Sequence, residues 1–272
     1  MLITKDFVMI NFPKTGSTFC RTVLKHIHTP TKRQEFWGRF GLWRPELEEL
    51  KMFPYYHNEA ASKAIGRISQ HGTYHQIPEA HRHKVVMSVV RDPMAKAVSD
   101  FEFRDWARHP FPDAEWWKER YPNFPDLSFE EYMDKVMRKG QGLEQPEGMR
   151  TLVGNQTSEF IRFFARDPKK TMLSLRDDTD LAKDYDLHFP NIRFLHTEDL
   201  SKELQEFLLE MGYARPRVDV IPRLRKVNTT ERKRKTYWTP ELRTAFQHSE
   251  RFFYQLFPEY LDNEGSNVPG AE

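Results

Sequence analysis

Phe7-Val8-Met9-Ile10-Asn11-Phe12-Pro13-Lys14-Thr15-Gly16-Ser17-Thr18 is followed by Phe19–His28, where apolar residues recur at helical spacing. The first six residues form an apolar run that reads as a buried strand. Pro13 to Thr18 then turn the chain, with Gly16 allowing close backbone approach, and a helix begins. The first N–H groups of a helix have no acceptor inside it, so strand, turn and helix in this order make an anion site. Lys14 adds a mobile positive charge, and Ser17 and Thr18 add hydroxyl donors. A plain capped helix with a turn glycine accounts for the same residues. The spacing G-x-x-x-x-G-K-[ST] is absent, because the lysine precedes the glycine. No apolar strand ends in an acidic residue able to hold Mg²⁺, which disfavours an ordinary nucleotide triphosphatase.

The pattern repeats along the chain. Lys84–Val90 is followed by Arg91-Asp92-Pro93 and a helical stretch over Met94–Trp106. Asn191–His196 is followed by Thr197-Glu198-Asp199-Leu200 and an amphipathic Lys202–Met211. A weaker strand is read at Ala64–Gln70. This alternation predicts an α/β fold: a single domain over 1–262, with a central parallel sheet flanked by helices. Thr239–Phe257 reads as a closing helix with Pro240 in its first turn, and 263–272 as a disordered tail. Residues 104–127, rich in tryptophan, phenylalanine and proline, read as an irregular aromatic insertion and a possible lid over an acceptor.

Composition narrows the classes. The chain has 272 residues, 42 Lys+Arg against 40 Asp+Glu, and one cysteine. Cys20 alone excludes an internal disulfide framework and a multi-cysteine zinc cluster. The balanced charge does not announce a nucleic-acid binder. No signal peptide and no apolar run of the ~18 residues that a membrane span needs is found, so a soluble, cytoplasmic protein is expected.

The second strand ends in Arg91, at the sheet edge where open α/β sheets bind ligands. Asp92 suits an N-cap and Pro93 the first helical turn. Ser99 lies two turns further on. Arg91 could serve as an ion-pair partner, yet two anion-binding turns on parallel strands fit a ligand with two separated phosphates.

These residues resemble the sulfotransferases that use 3′-phosphoadenosine 5′-phosphosulfate (PAPS) and release 3′-phosphoadenosine 5′-phosphate (PAP). Pro13–Thr18 looks like their 5′-phosphosulfate loop, and Arg91-Asp92-Pro93-x-x-Lys96-x-x-Ser99 like their 3′-phosphate motif, with lysine at 96 where arginine is commoner. The resemblance implies the P-loop-like sulfotransferase fold and sulfuryl transfer to an acceptor hydroxyl by in-line displacement. It gives Lys14 the role of stabilising charge on the leaving oxygen. Thr15, Gly16, Ser17 and Thr18 would hold the 5′-phosphate, and Arg91 and Ser99 the 3′-phosphate. No metal is implied. In the carbohydrate, family 2-like branch a histidine pair after the next strand supplies the base; His71 fits that place best and His75 second, while Glu59 and His57 remain open. From the basic stretch between Arg215 and Lys235, Lys226, Asn228 and Arg232 are expected to close over the 3′-phosphate, although a solvated face explains such a run equally well. Trp106 and Trp116 are expected to wall an acceptor, either a glycan or a small hydroxyl compound. Oligomeric state is not legible. Two rival readings stay open: a P-loop-type kinase, and a non-enzymatic nucleotide- or nucleic-acid-binding module using the basic stretch.

Overall fold

A computed structural model describes residues 1–53, 68–108, 114–138, 144–224 and 237–262. They gather into two compact units, Met1–Arg91 with Asn191–Glu231, and Asp92–Pro190 with Arg232–Glu272.

The first unit holds the sheet. Its strands are β1 (Leu2–Ile3), β2 (Phe7–Met9), β3 (Glu48–Glu49), β4 (Val85–Val90) and β5 (Ile192–His196), in the order β3-β1-β2-β4-β5. The three runs read as buried strands form the parallel part: Val8 pairs with Val86, and Ser88 with Phe194. Near-continuous burial explains the apolar composition of β2 and β4, whereas β5, at the sheet edge, buries Ile192 and Leu195 and exposes Arg193. β1 and β3 join antiparallel, so the sheet is mixed and not wholly parallel as expected. Two-residue strands carry no readable period, and Glu48–Glu49 has no β-propensity to betray it. The β1–β2 connection is a tight turn in which the Thr4 hydroxyl accepts from the N–H of Asp6 and of Phe7 at 3.2 and 3.0 Å.

Helix α1 (Ser17–Ile27) buries Phe19, Cys20, Val23, Leu24 and Ile27. They share a core with Phe7, Met9, Leu195, Leu204 and Phe207, and the rings of Phe7 and Phe207 meet edge-on at 5.0 Å. Burial pushes the Cys20 thiol up, which leaves it inert as a nucleophile. Arg217 donates to the Ile27 carbonyl at 2.8 Å, where a cation suits the end of the helix.

In the second unit, the helix Pro93–Phe103 starts as the sequence indicates, with Asp92 accepting from the Ala95 N–H at 2.5 Å. The aromatic insertion contains two short helices, Asp105–Arg108 and Ala114–Arg120, where an irregular chain was expected. Its rings pack on one another: Trp106 stacks on Tyr132 at 4.8 Å and Trp117 on Tyr121 at 5.7 Å. The helix Asn155–Phe164 is buried from Gln156 through Phe164. Lys96, 2 % exposed, reaches the Glu159 carboxylate at 2.6 Å and Asp100 at 3.3 Å. Burial works against the Lys96 ammonium, but these two carboxylates outweigh it and hold the pKa above the ordinary value.

The expected closing helix is two helices, Pro240–Ser249 and Arg251–Leu256, interrupted at Glu250. The buried Glu250 carboxylate accepts from the Gln156 N–H (2.8 Å), the Thr157 N–H (2.7 Å) and the Thr157 hydroxyl (2.9 Å). It therefore caps the 155–164 helix from a distant part of the chain. A β-carbon at Gly154 would lie 2.3 Å from the Glu250 carboxyl carbon, so that cap requires glycine.

Candidate active site

The turn after β2 is held open by its own hydroxyls. Thr15 and Ser17 are buried, and both donate to the Phe12 carbonyl, at 3.0 and 2.9 Å. Their side chains therefore shape the turn, which leaves its main-chain N–H groups and Thr18 as donors for an anion. Gly16 caps α1 with φ +87° and makes no side-chain cap, and α1 has no acidic residue in its first turn. That end of the helix keeps its positive potential for an incoming anion. Lys14 adopts φ +61°, an uncommon conformation for a side-chain-bearing residue that is concentrated at functional sites.

Neighbouring strands brace the turn. The Ser88 hydroxyl donates to the Ile10 carbonyl at 2.9 Å. Arg91, at the end of β4, donates through Nη1 to the Lys14 carbonyl at 3.2 Å. Thr197, just beyond β5, lies 2.6 Å from the Thr15 carbonyl and 2.8 Å from the Val90 carbonyl through its hydroxyl. A β-carbon at Gly16 would sit 3.1 Å from Leu200 Cδ2 and 3.6 Å from Thr197 Cγ2. Gly16 is thus demanded by the backbone angle and by this wall together. Thr197 is the residue whose role the sequence did not announce; its signals were its place after the third parallel strand and the weak resemblance of Thr197-Glu198-Asp199-Leu200 to the sulfotransferases.

His71 is fixed from two sides. Its N–H donates to Ser69 Oγ at 2.9 Å, and ring Nδ1 lies 2.8 Å from the Asn11 carbonyl. A carbonyl only accepts, so Nδ1 carries a proton, and in the neutral ring Nε2 is the nitrogen with the lone pair. The buried Asn11 side chain donates to the Gln70 carbonyl at 3.1 Å, which ties the histidine turn to the chain three residues before Lys14. His75 lies in the short 3₁₀ turn Tyr74–Gln76.

The remaining expected site residues are distributed as follows. Ser99 is half-buried on the Pro93–Phe103 helix of the second unit. Lys96 of the same motif belongs to the buried ion cluster with Glu159 and Asp100. Trp106 is 3 % exposed, with its indole N–H donating to the Pro125 carbonyl at 3.0 Å; its ring packs within the aromatic core instead of lying open. Trp116 lies in the Ala114–Arg120 helix, and its side chain is outside the described residues, as are His57, Glu59, Lys226, Asn228 and Arg232. Among the described residues, no helix is long and apolar enough to cross a membrane.

A glycine-shaped turn after β2 is thus braced by an arginine at the end of the adjacent parallel strand, and a histidine distant in the chain is hydrogen-bonded to Asn11, three residues before Lys14. Residues 4–184 match the sulfotransferase domain family. The chain belongs to that family and is a sulfotransferase. Among solved structures it is similar to the crystal structure of mouse sulfotransferase SULT7A1 complexed with PAP, at 14 % identity and a TM-score of 0.38, over 96 % of this chain and 86 % of that one. Among curated proteins there is no match.

Proposed function

We propose that the protein transfers the sulfuryl group of PAPS to an acceptor hydroxyl, with His71 as base. The observation that carries this reading is the Pro13–Thr18 turn, uncapped and glycine-shaped, braced by Arg91. PAPS supplies the activated sulfuryl group. The N–H groups of Gly16, Ser17 and Thr18 hold the 5′-phosphate, while Arg91 selects the 3′-phosphate. Lys14 stabilises the negative charge that grows on the leaving phosphate oxygen. Nε2 of His71 takes the acceptor proton as the oxygen attacks, and the bond to the Asn11 carbonyl places the lone pair of the neutral ring on that nitrogen. His75 is the second candidate for the base. The acceptor proposed is a small hydroxyl compound or a saccharide, and Lys226, Asn228 and Arg232 are proposed to close over the 3′-phosphate.

Calorimetric titration with PAP, AMP and ADP tests the reading. PAP should bind at least about tenfold more tightly than AMP, since a charge-assisted bidentate contact is worth more than about 1.4 kcal/mol. Because Arg91 also braces the turn, Arg91→Ala should weaken both ligands, and the collapse of their ratio is the diagnostic result. Lys14→Ala should leave PAP binding measurable while lowering transfer by about 10²- to 10³-fold. Equal affinity of PAP and AMP refutes the proposal.

A further inference from the structure

Helix α2 (Lys32–Gly38) and the turn after it have no place in the site just described. Thr31 and Gln34 close a reciprocal capping box at its start. The Leu42 N–H then donates back to the Trp37 carbonyl at 3.1 Å, and the Gly41 N–H to the Gly38 carbonyl at 3.0 Å. The segment is thus shaped locally, and none of the helix residues is buried. Phe36, Trp37, Phe40 and Leu42 are 51, 39, 64 and 71 % exposed. Single exposed apolar residues are ordinary, but a contiguous group this large marks an interaction surface. Around it stand Lys32, Arg33, Arg39 and Arg44, all exposed and, among the described residues, in no ion pair. Glu35 is the only acid between residues 32 and 44.

We propose that residues 32–44 dock the protein on an anionic lipid bilayer. Aromatic rings at the headgroup level, flanked by cations that reach lipid phosphates, are the chemistry of an interfacial segment. A second copy of the chain fits poorly, because a two-fold contact would set like charges against like. A nucleic-acid strand fits less well too. Phe36 meets Trp37 and Phe40 edge-on, with centroids 5.5 and 5.2 Å apart, and this mutual packing takes up ring faces that base stacking requires. Acyl chains need only apolar area.

The test is flotation of the full chain with vesicles of phosphatidylcholine alone or with about one third phosphatidylserine. Binding is expected only to the anionic vesicles, weakening with salt. Arg39→Ala and Arg44→Ala should each lower partitioning about fivefold, and Phe36→Ser with Phe40→Ser should abolish it. These positions are exposed, so an unchanged thermal melt accompanies each loss. No partitioning onto anionic vesicles, partitioning that the variants leave intact, a concentration-dependent dimer that the variants dissolve, or stronger binding to an oligonucleotide each overturns the proposal.

Discussion

Thr197→Val deletes one hydroxyl and keeps the shape of the side chain. The Val90 carbonyl retains the Thr197 N–H at 3.0 Å, but the Thr15 carbonyl loses the hydroxyl at 2.6 Å. A buried acceptor left without its donor costs about 1–3 kcal/mol, more than the bond itself contributes. The carbonyl recovers part of that cost if the turn shifts, and a shifted turn no longer presents its N–H groups as a set. Stability measured by urea unfolding should therefore fall by about 1–2 kcal/mol, at the lower end of that cost. The dissociation constant for PAP should rise about five- to tenfold, because only the fraction of molecules with the braced turn binds. AMP shares the 5′-phosphate and should weaken by the same factor, leaving the PAP-to-AMP ratio unchanged. Thr197→Ser, which restores the donor, should recover both quantities. Destabilisation with unaltered nucleotide affinity would refute the reasoning, since Thr197 would then be a packing residue only.

Other residues give equally direct tests. Asn11→Ala removes the side-chain donor to the Gln70 carbonyl while keeping the main-chain carbonyl that accepts from His71; by loosening the histidine turn it should lower kcat by about 10- to 100-fold with little change in donor KM in steady-state kinetics. Burial pushes the Glu250 carboxyl up to about 7 from 4.5, against the hydrogen bonds from Gln156 and Thr157 and the charge of Lys96. The folded state then holds a proton that the unfolded chain has lost between those values. The Glu250 contribution is thus fully present below 4.5 and lost as pH rises through about 7, a change of about 3 kcal/mol. Glu250→Gln should flatten that slope in thermal melts across this window, and a wild-type slope of the opposite sign counts against the assignment. Glu159→Ala takes the 2.6 Å carboxylate from the buried Lys96 ammonium and should cost about 3–5 kcal/mol. Lys96→Met combined with Glu159→Leu should recover most of that loss in chemical denaturation.

Local chemistry carried much of this protein in plain view. The runs at Phe7 and Lys84 declared buried strands because a strand covered on both faces is apolar along nearly its whole length, while the run at Asn191 forms the edge strand and buries only Ile192 and Leu195. Pro13–Thr18 and Arg91-Asp92-Pro93 declared their turns because glycine, proline and a capping aspartate act within a few residues of themselves. The sulfotransferase family was therefore legible from two short motifs. What the sequence could not show is set by groups far apart in the chain. Thr197 clamps a carbonyl 182 residues away, Glu250 caps a helix 93 residues away, and Asn11 orients a histidine 60 residues away. None of these pairings leaves a period or a spacing in the sequence, since each is made only when strands and helices bring the partners together. Lys96 makes the same point: the motif shows a cation at that position, and only packing reveals that it is buried against Glu159 and Asp100. The sequence by itself determined the order of strand, glycine turn and helix; the tertiary structure decided which side chains hold that turn in shape, because hydrogen bonds and desolvation act through space and not along the chain.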